Sequence, residues 1–441
     1  MIQVLTSVWA LLIGVVLIML GNGMHSTLIG LRGGFEGFSS AELAIVTSGY
    51  FVGFLSGARL TPRLIKRVGH VRVFAALGSF VSAALIAFPL IAEPWAWTIL
   101  RVLIGFCMSG IYVTAESWLN DSSTNENRGK VLSAYMIAQT LGIIGAQGIL
   151  TLGDVATSAL FIVASILVSV SFAPILLSVS SPPMTEAARP MGLRELFTGS
   201  PLSTVGMFLL GGVYAAQGGM SAVYGTQINM TTAEIATFVA MLFAGALVFQ
   251  YPIGWLSDRM DRRNLIFSTA MVAMGASFIG WMSGGQLWLM MIAAFVGGGM
   301  TTPLYALFLA YTNDFLPLED MPAASGGLVL TFGVGAISGP LVIGWSMEHL
   351  GPQSFWLVLA ATFAVIAVYA LYRMTRREGL PVEETESYVS VLPTASPMAV
   401  ETASAWAAEQ AEAEAEAVAQ AEAQADGEAE GTKTAPGKKD G

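Results

Sequence analysis

The 441 residues are 54% hydrophobic and only 11% charged, against about 45–50% apolar and about 25% charged in an ordinary soluble domain. That balance excludes a water-soluble globular chain and points to a lipid environment. The net charge of −10 is unevenly placed, because residues 378–441 hold fourteen Asp/Glu against three Lys, while residues 1–377 hold sixteen acids against seventeen Lys and Arg.

An α-helix rises 1.5 Å per residue, so crossing a ~30 Å hydrocarbon layer takes about 20 mostly apolar residues. Twelve such runs follow one another at 8–31, 41–60, 73–92, 97–119, 131–152, 157–178, 202–226, 234–256, 264–284, 287–311, 324–346 and 354–373. Lipid offers no partner to a backbone N–H or C=O, so each run must close its own hydrogen bonds as a helix. The runs are continuous rather than alternating, which excludes a transmembrane barrel. The first begins at Trp9 without a basic n-region or an A-x-A-like cleavage site; it is expected to be retained rather than cleaved.

The loops give the orientation. With a cytoplasmic N-terminus, the inner side receives Arg59, Arg63, Lys66, Arg67, Arg72, Arg128, Lys130, Arg189, Arg194, Arg259, Arg262, Arg263, Arg373, Arg376 and Arg377, and the outer loops receive only Arg32. Lys and Arg mark the cytoplasmic side, so both termini are expected there. The longest connection, 179–201, carries Pro182, Pro183, Pro190 and Pro201. It divides the chain into an N-terminal six-helix bundle (1–178), a cytoplasmic linker (179–201), a C-terminal six-helix bundle (202–373) and an acidic tail (374–441).

The two bundles read as repeats. A shift of 195 lays Asn22-Gly23-x-x-Ser26 on Gln217-Gly218-x-x-Ser221, and a shift of 196 lays Arg63-x-x-Lys66-Arg67 on Arg259-x-x-Arg262-Arg263. A shift of 193 lays Tyr112 and Asn120-Asp121 on Tyr305 and Asn313-Asp314. Three separated matches at nearly one offset indicate a duplicated, all-α integral membrane architecture of twelve transmembrane helices in two six-helix pseudo-repeats, a transporter plan.

Gly254-Trp255-Leu256-Ser257-Asp258-Arg259-Met260-Asp261-Arg262-Arg263 resembles the G-x-L-x-D-R-x-x-R-R loop of the major facilitator superfamily. The first-half copy, Pro62-Arg63-Leu64-Ile65-Lys66-Arg67, keeps the basic residues and lacks the acid. Arg101-x-x-x-Gly105-x-x-x-x-Gly110 is similar to that family's fourth-helix Arg motif, and Glu116-Ser117-Trp118-Leu119 resembles its YcaD-like bacterial branch. The resemblance covers 1–377. It implies alternating access of two bundles about a cavity lined by the first, fourth, seventh and tenth spans, in a bacterial inner membrane.

Polar groups at membrane depth are costly and call for an explanation. Asn22, His25 and Ser26 share a helical face at i, i+3, i+4, as do Gln217 and Ser221, with Tyr214 and Tyr224 at compatible spacing. Interhelical hydrogen bonding is the plain alternative, but the paired placement favours cavity lining. Arg101 is either a snorkelled anchor or a fixed positive charge in that cavity. Gln139 and Gln147 lie at i, i+8 on the fifth span. Tyr305 is kept with the cavity candidates, although packing is the simpler use of it.

Glu116 and His25 are the candidates for proton coupling, His25 because histidine is the side chain whose ordinary charge change falls near neutrality. Gly254, Asp258, Arg259, Arg262 and Arg263, with Arg63, Lys66, Arg67 and Arg128, form the candidate gate. Asp258 would latch it by pairing with Arg128 or by capping the fifth span. The tail is Ala- and Glu-rich with few larger apolar residues (Val400, Trp406, Val418), so a solvated helix or disordered tether is expected.

No G-x-x-x-x-G-K-[ST] loop occurs. The expected function is therefore a non-enzymatic, cofactor-free secondary transporter, most plausibly proton-driven. It would act as a monomer on a small solute, leaning neutral or amphipathic, without nucleic-acid partners. Efflux of a drug-like or metabolic compound and nutrient uptake are both compatible, as is a transporter-like receptor signalling through its tail.

Overall fold

The computed structural model describes residues 2–121, 123, 127–177, 191–316 and 320–376, and in the tail 381, 385, 388, 390–396, 399, 400, 403 and 406. The expected linker from 179 to 190, the loop residues Arg189 and Arg377, and the tail beyond 406 lie outside the described residues. The elements are α1 (Ile2–Phe35), α2 (Ser40–Val68), α3 (His70–Ala87), a 3-10 turn (Phe88–Leu90), α4 (Pro94–Asp121), α5 (Arg128–Leu150) and α6 (Ala159–Leu177). After the linker come α7 (Leu193–Gly199), α8 (Pro201–Gln227), α9 (Thr232–Ser257), α10 (Arg262–Met282), α11 (Leu287–Asn313), α12 (Met321–Leu350) and α13 (Ser354–Met374).

Each expected apolar run coincides with a helix. Ten of these helices are long and apolar enough to cross a membrane, α8 qualifies only together with α7 across a 120° bend, and the apolar stretch Ala159–Pro174 in α6 is shorter. The dilution of α8 has a cause: Gln217, Gly218, Gly219 and Ser221 interrupt it where it meets the interior. The short α7 occupies part of the expected linker, and Met191 N–H donates to Ala323 O at 2.7 Å. Pro201, at the first turn of α8, suits a helix start because its missing N–H would have no partner there.

Helix starts repeat as well. Ser39 caps α2 in a box with Glu42, and Thr231 caps α9 in a box with Glu234. In each, the cap hydroxyl accepts from the Glu backbone N–H while the Glu carboxylate accepts from the cap backbone N–H. Packing follows the same scheme in both halves: α1 on α5 and α6, α2 on α4, and α3 on α4 and α6 are matched by α8 on α12 and α13, α9 on α11, and α10 on α11 and α13. The halves meet through α2 with α12, α5 with α9, and α1 with α8.

Glycines allow the closest crossings. A Cβ on Gly53 of α2 would lie 1.9 Å from Val102 O of α4, and one on Gly245 of α9 would lie 1.8 Å from Phe295 O of α11. Small residues let backbones touch where lipid supplies no hydrophobic drive between helices. Outward faces carry exposed Phe80, Val170, Val248, Trp288 and Val368, as a lipid-facing surface requires.

The two ends differ. At the end away from the basic loops the halves are closed: Ala41 N–H donates to Glu348 Oε2 at 3.0 Å, Gln227 Nε2 donates to Ser40 Oγ, and Ser48 Oγ donates to Ile337 O at 2.8 Å. Arg32 stays at this end, donating from Nη1 to Val155 O at 3.0 Å and from Nε to Glu36 at 2.7 Å. At the basic end, residues of the tail lie between the halves.

Candidate functional site

Between the halves, α1, α2, α4, α5 and α8 bring polar side chains to one cavity. Asn22, Ser26, Thr27, Thr47, Tyr50, Arg101, Tyr112, Gln147 and Tyr214 line it, with Phe51 and Phe243 as apolar wall. About 660 Å³ of empty space lies there, part of it continuous with solvent.

Arg101 dominates the electrostatics. It is only 4% exposed, which rules out a snorkelled anchor. Its guanidinium lies over the Tyr50 ring at 4.6 Å, and Nη1 donates to His25 Nδ1 at 3.5 Å. Its Nε has no hydrogen-bond partner, and among the described residues no carboxylate forms an ion pair with it. Asn22 Oδ1 and Gln147 Oε1 are likewise buried without partners. Such groups are costly to leave unsatisfied.

The remaining candidates divide by position. His25 sits behind Arg101, fully buried, edge-on to Phe88 at 4.5 Å and Phe161 at 6.1 Å. Arginine can only donate, so Nδ1 accepts and the ring proton belongs on Nε2. Gln217 lies in a small adjoining pocket, where Oε1 accepts from Thr301 Oγ1 at 3.0 Å. Ser221 turns inward to its own helix, donating to Gln217 O at 2.6 Å. Tyr224 is directed away, donating to Met290 Sδ at 3.3 Å and stacking on Phe355 at 5.0 Å. Tyr305 packs edge-on to Phe332 at 5.1 Å with its hydroxyl unpartnered. Sequence reasoning missed Thr27, Thr47 and Tyr50; a tyrosine level with a buried arginine was the available signal for Tyr50.

A second polar site lies toward the basic end. Glu116 is 2% exposed and its two oxygens are separately occupied. Tyr135 OH donates to Oε1 at 3.1 Å, and the backbone N–H of Ser396, from the tail, donates to Oε2 at 2.9 Å. Gln139 lines this site, with Leu132, Met136 and tail residues, rather than the central cavity beside Gln147.

The candidate gate residues are arranged mainly within the second half. Arg262 forms a buried ion pair with Asp314 and donates from Nε to Ser257 Oγ at 3.1 Å, tying α9, α10 and α11 together. Arg263 binds Asp261, with Nη2 to Oδ2 at 2.6 Å. Burial alone would raise the Asp261 carboxyl, but hydrogen bonds and charge from Arg263 outweigh it and hold the group below the usual carboxylate range. Arg259 folds back over Trp255 at 4.2 Å. Asp258 accepts from the Tyr388 backbone N–H at 2.8 Å; no ion pair with Arg128 is among the described contacts. A Cβ on Gly254 would strike the Tyr388 ring at 2.7 Å. Arg63, Lys66 and Arg67 are exposed at the same end. Among the described residues no His, Cys, Asp and Glu group has the makings of a metal site.

The sequence model of the Major Facilitator Superfamily matches residues 11–243 and 202–408. An uncharacterised MFS-type transporter, YcaD, of Escherichia fergusonii is 25% identical over 379 residues, spanning 85% of this chain and 97% of that protein. YfkF of Bacillus subtilis, also an uncharacterised MFS-type transporter, is 23% identical over 357 residues, 78% of this chain and 90% of that one. Among solved structures, the nucleoside transporter NupG superposes with a TM-score of 0.70 at 15% identity, covering 84% of this chain and all of that one. A bacterial homologue of the human lysosomal transporter Spinster, inward-facing and occupied, gives 0.69 at 14% identity over 86% of this chain and 97% of that chain. With the family model running through both halves and YcaD matched almost end to end, the chain belongs to the major facilitator superfamily, in its YcaD-like branch.

Proposed function

We propose that this multi-pass bacterial inner-membrane protein is a proton-coupled secondary transporter whose solute carries an anionic group held by Arg101. The observation that carries this reading is the buried guanidinium at the cavity wall with no carboxylate paired to it among the described residues. A buried charge without a counter-ion is strongly unfavourable, and a carboxylate or phosphate entering the cavity supplies the missing bidentate partner. This moves the expectation away from a neutral solute. Tyr50, Asn22 and Gln147 supply an aromatic face and free acceptors for the rest of the molecule.

Alternating access of two six-helix bundles, with twelve spans and both termini in the cytoplasm, is the motion proposed. The recurring packing scheme, the matching capping boxes and the closure at one end only support it. Two groups are the candidates to couple a proton. Glu116 lies buried between Tyr135 and the tail. His25 contacts Arg101 through Nδ1, and a proton there would set two donors against each other and release the guanidinium toward the cavity.

The test is flux into proteoliposomes with an imposed pH gradient, across small carboxylates, organic phosphates and their neutral esters or alcohols. Anionic members are expected to be carried, and Arg101→Gln to lower their flux at least ~10-fold, about 1.4 kcal/mol or more, with Arg101→Lys intermediate. Equal transport of neutral analogues, unaffected by Arg101→Gln, would overturn the anionic assignment.

A further inference from the structure

Described residues of the tail do not all stay in solvent. Val391, Ala395, Ser396, Ala399, Val400 and Ala403 are each at most 6% exposed, and their burial comes from both halves of the bundle. On the second half, Tyr388 gives its backbone N–H to Asp258, accepts from Gln250 Nε2 at 3.0 Å and lies over Gly254. Burial pushes its phenol well above the usual tyrosine range. On the first half, Ser396 donates to Glu116, and Trp406 covers Gly129 at the start of α5. Between these anchors Thr394 reaches the central cavity and lines it beside Tyr214.

The chemistry of the segment suits the place. Ala395, Ala399 and Ala403 recur every four residues, so they share one helical face narrow enough to enter between α4 and α5, where they line a pocket with Leu132 and Met136. Ser396 starts that turn, its O accepting from Val400 N–H at 3.1 Å. Its own N–H, which no helical carbonyl can use, goes to Glu116. Acidic runs flank the segment in sequence, Glu383, Glu384 and Glu386 before it and Glu409 to Glu430 after it, and the rim carries Arg63, Lys66, Arg67, Lys130 and Arg259.

We infer that the described tail residues 388, 390–396, 399, 400, 403 and 406 act as an internal ligand of the vestibule at the basic end, seated on Glu116 and Asp258 together and closing the substrate cavity on that side until they leave. The chain thus carries its own competitor for the path that solute must take. The inference is independent of which solute is carried and of whether a proton is coupled.

Accessibility tests it without a substrate. In the full-length protein with Cys107→Ala and Ser26→Cys, a small anionic methanethiosulfonate is added from the face bearing the basic loops. Slow labelling is expected with the native tail, and labelling at least ten-fold faster when Val391→Glu, Ala395→Glu and Val400→Glu place unpaired carboxylates in the seat. Equal rates, whether both fast or both slow, would overturn the inference. A second full-length protein, with Gly129→Cys and Trp406→Cys, leaves the contacts at Glu116 and Asp258 unaltered. A short bifunctional maleimide should link the two within one chain, and absence of that linked peptide by mass spectrometry would also overturn it.

Discussion

At the scale of single residues, charges inside this protein fall into two kinds. Arg262 and Asp314 neutralise each other and hold three helices in place; Arg101 has no such partner among the described residues. Removing one member of a buried pair leaves the other stranded, typically at about 3–5 kcal/mol. Asp314→Asn is therefore expected to lower the thermal unfolding midpoint in detergent markedly, and Arg262→Met with Asp314→Leu to lose less than the two single changes together. Glu116 makes a different prediction. Glu116→Gln keeps an oxygen able to accept from Tyr135 or Ser396 but cannot hold an exchangeable proton. If Glu116 carries the coupled proton, the variant should lose the pH dependence of flux while solute binding, measured by protection from labelling, persists. Retained pH dependence would move that role to His25.

At the scale of elements, the helices were legible because continuous apolar runs have one solution in lipid; each run coincides with a helix, and ten of these are long and apolar enough to cross a membrane. Facing was harder. Asn22 and Ser26 reach the cavity, whereas His25, between them in sequence and on nearly the same face, turns to Phe88 and Phe161. Periodicity resolves a face only to about a third of a turn, and partners on other helices decide the rest. Likewise Gln139 and Gln147 share a face of α5, but two turns separate them, enough to put them in different sites. The glycine-rich eleventh run permits close approach: a Cβ on Gly335 would lie 1.8 Å from Phe208 O. Gly335→Ala and Gly53→Ala must push helices apart, and overpacking of this kind costs about 1–3 kcal/mol. Both should lower the unfolding midpoint, while Gly275→Ala, with open space around its Cβ, should leave it unchanged or slightly raised.

At the scale of the molecule, the seating of the tail was the least legible feature, because alanine-rich sequence announces neither a buried stripe nor a motif. Of the three residues that broke the pattern, Val400 and Trp406 prove to be contact residues, and Val418 lies outside the described residues. The division of labour between the two ends was clearer: basic residues gather where the tail sits, and the opposite end is sealed by side chains reaching across the halves. If the bundles alternate, those sealing contacts must break once in every cycle. Ser40 and Gln227 are hydrogen-bonded there, on α2 of one half and α8 of the other, and neither lines the central cavity. Ser40→Cys with Gln227→Cys, on a Cys107→Ala background, is expected to form a cross-link that abolishes net flux and leaves cavity labelling from the basic face intact, with reductant restoring transport. Each single cysteine should transport normally. Flux that continued through the locked pair would require the halves to stay together at this end throughout transport, and a rocking motion would then have no hinge to act on.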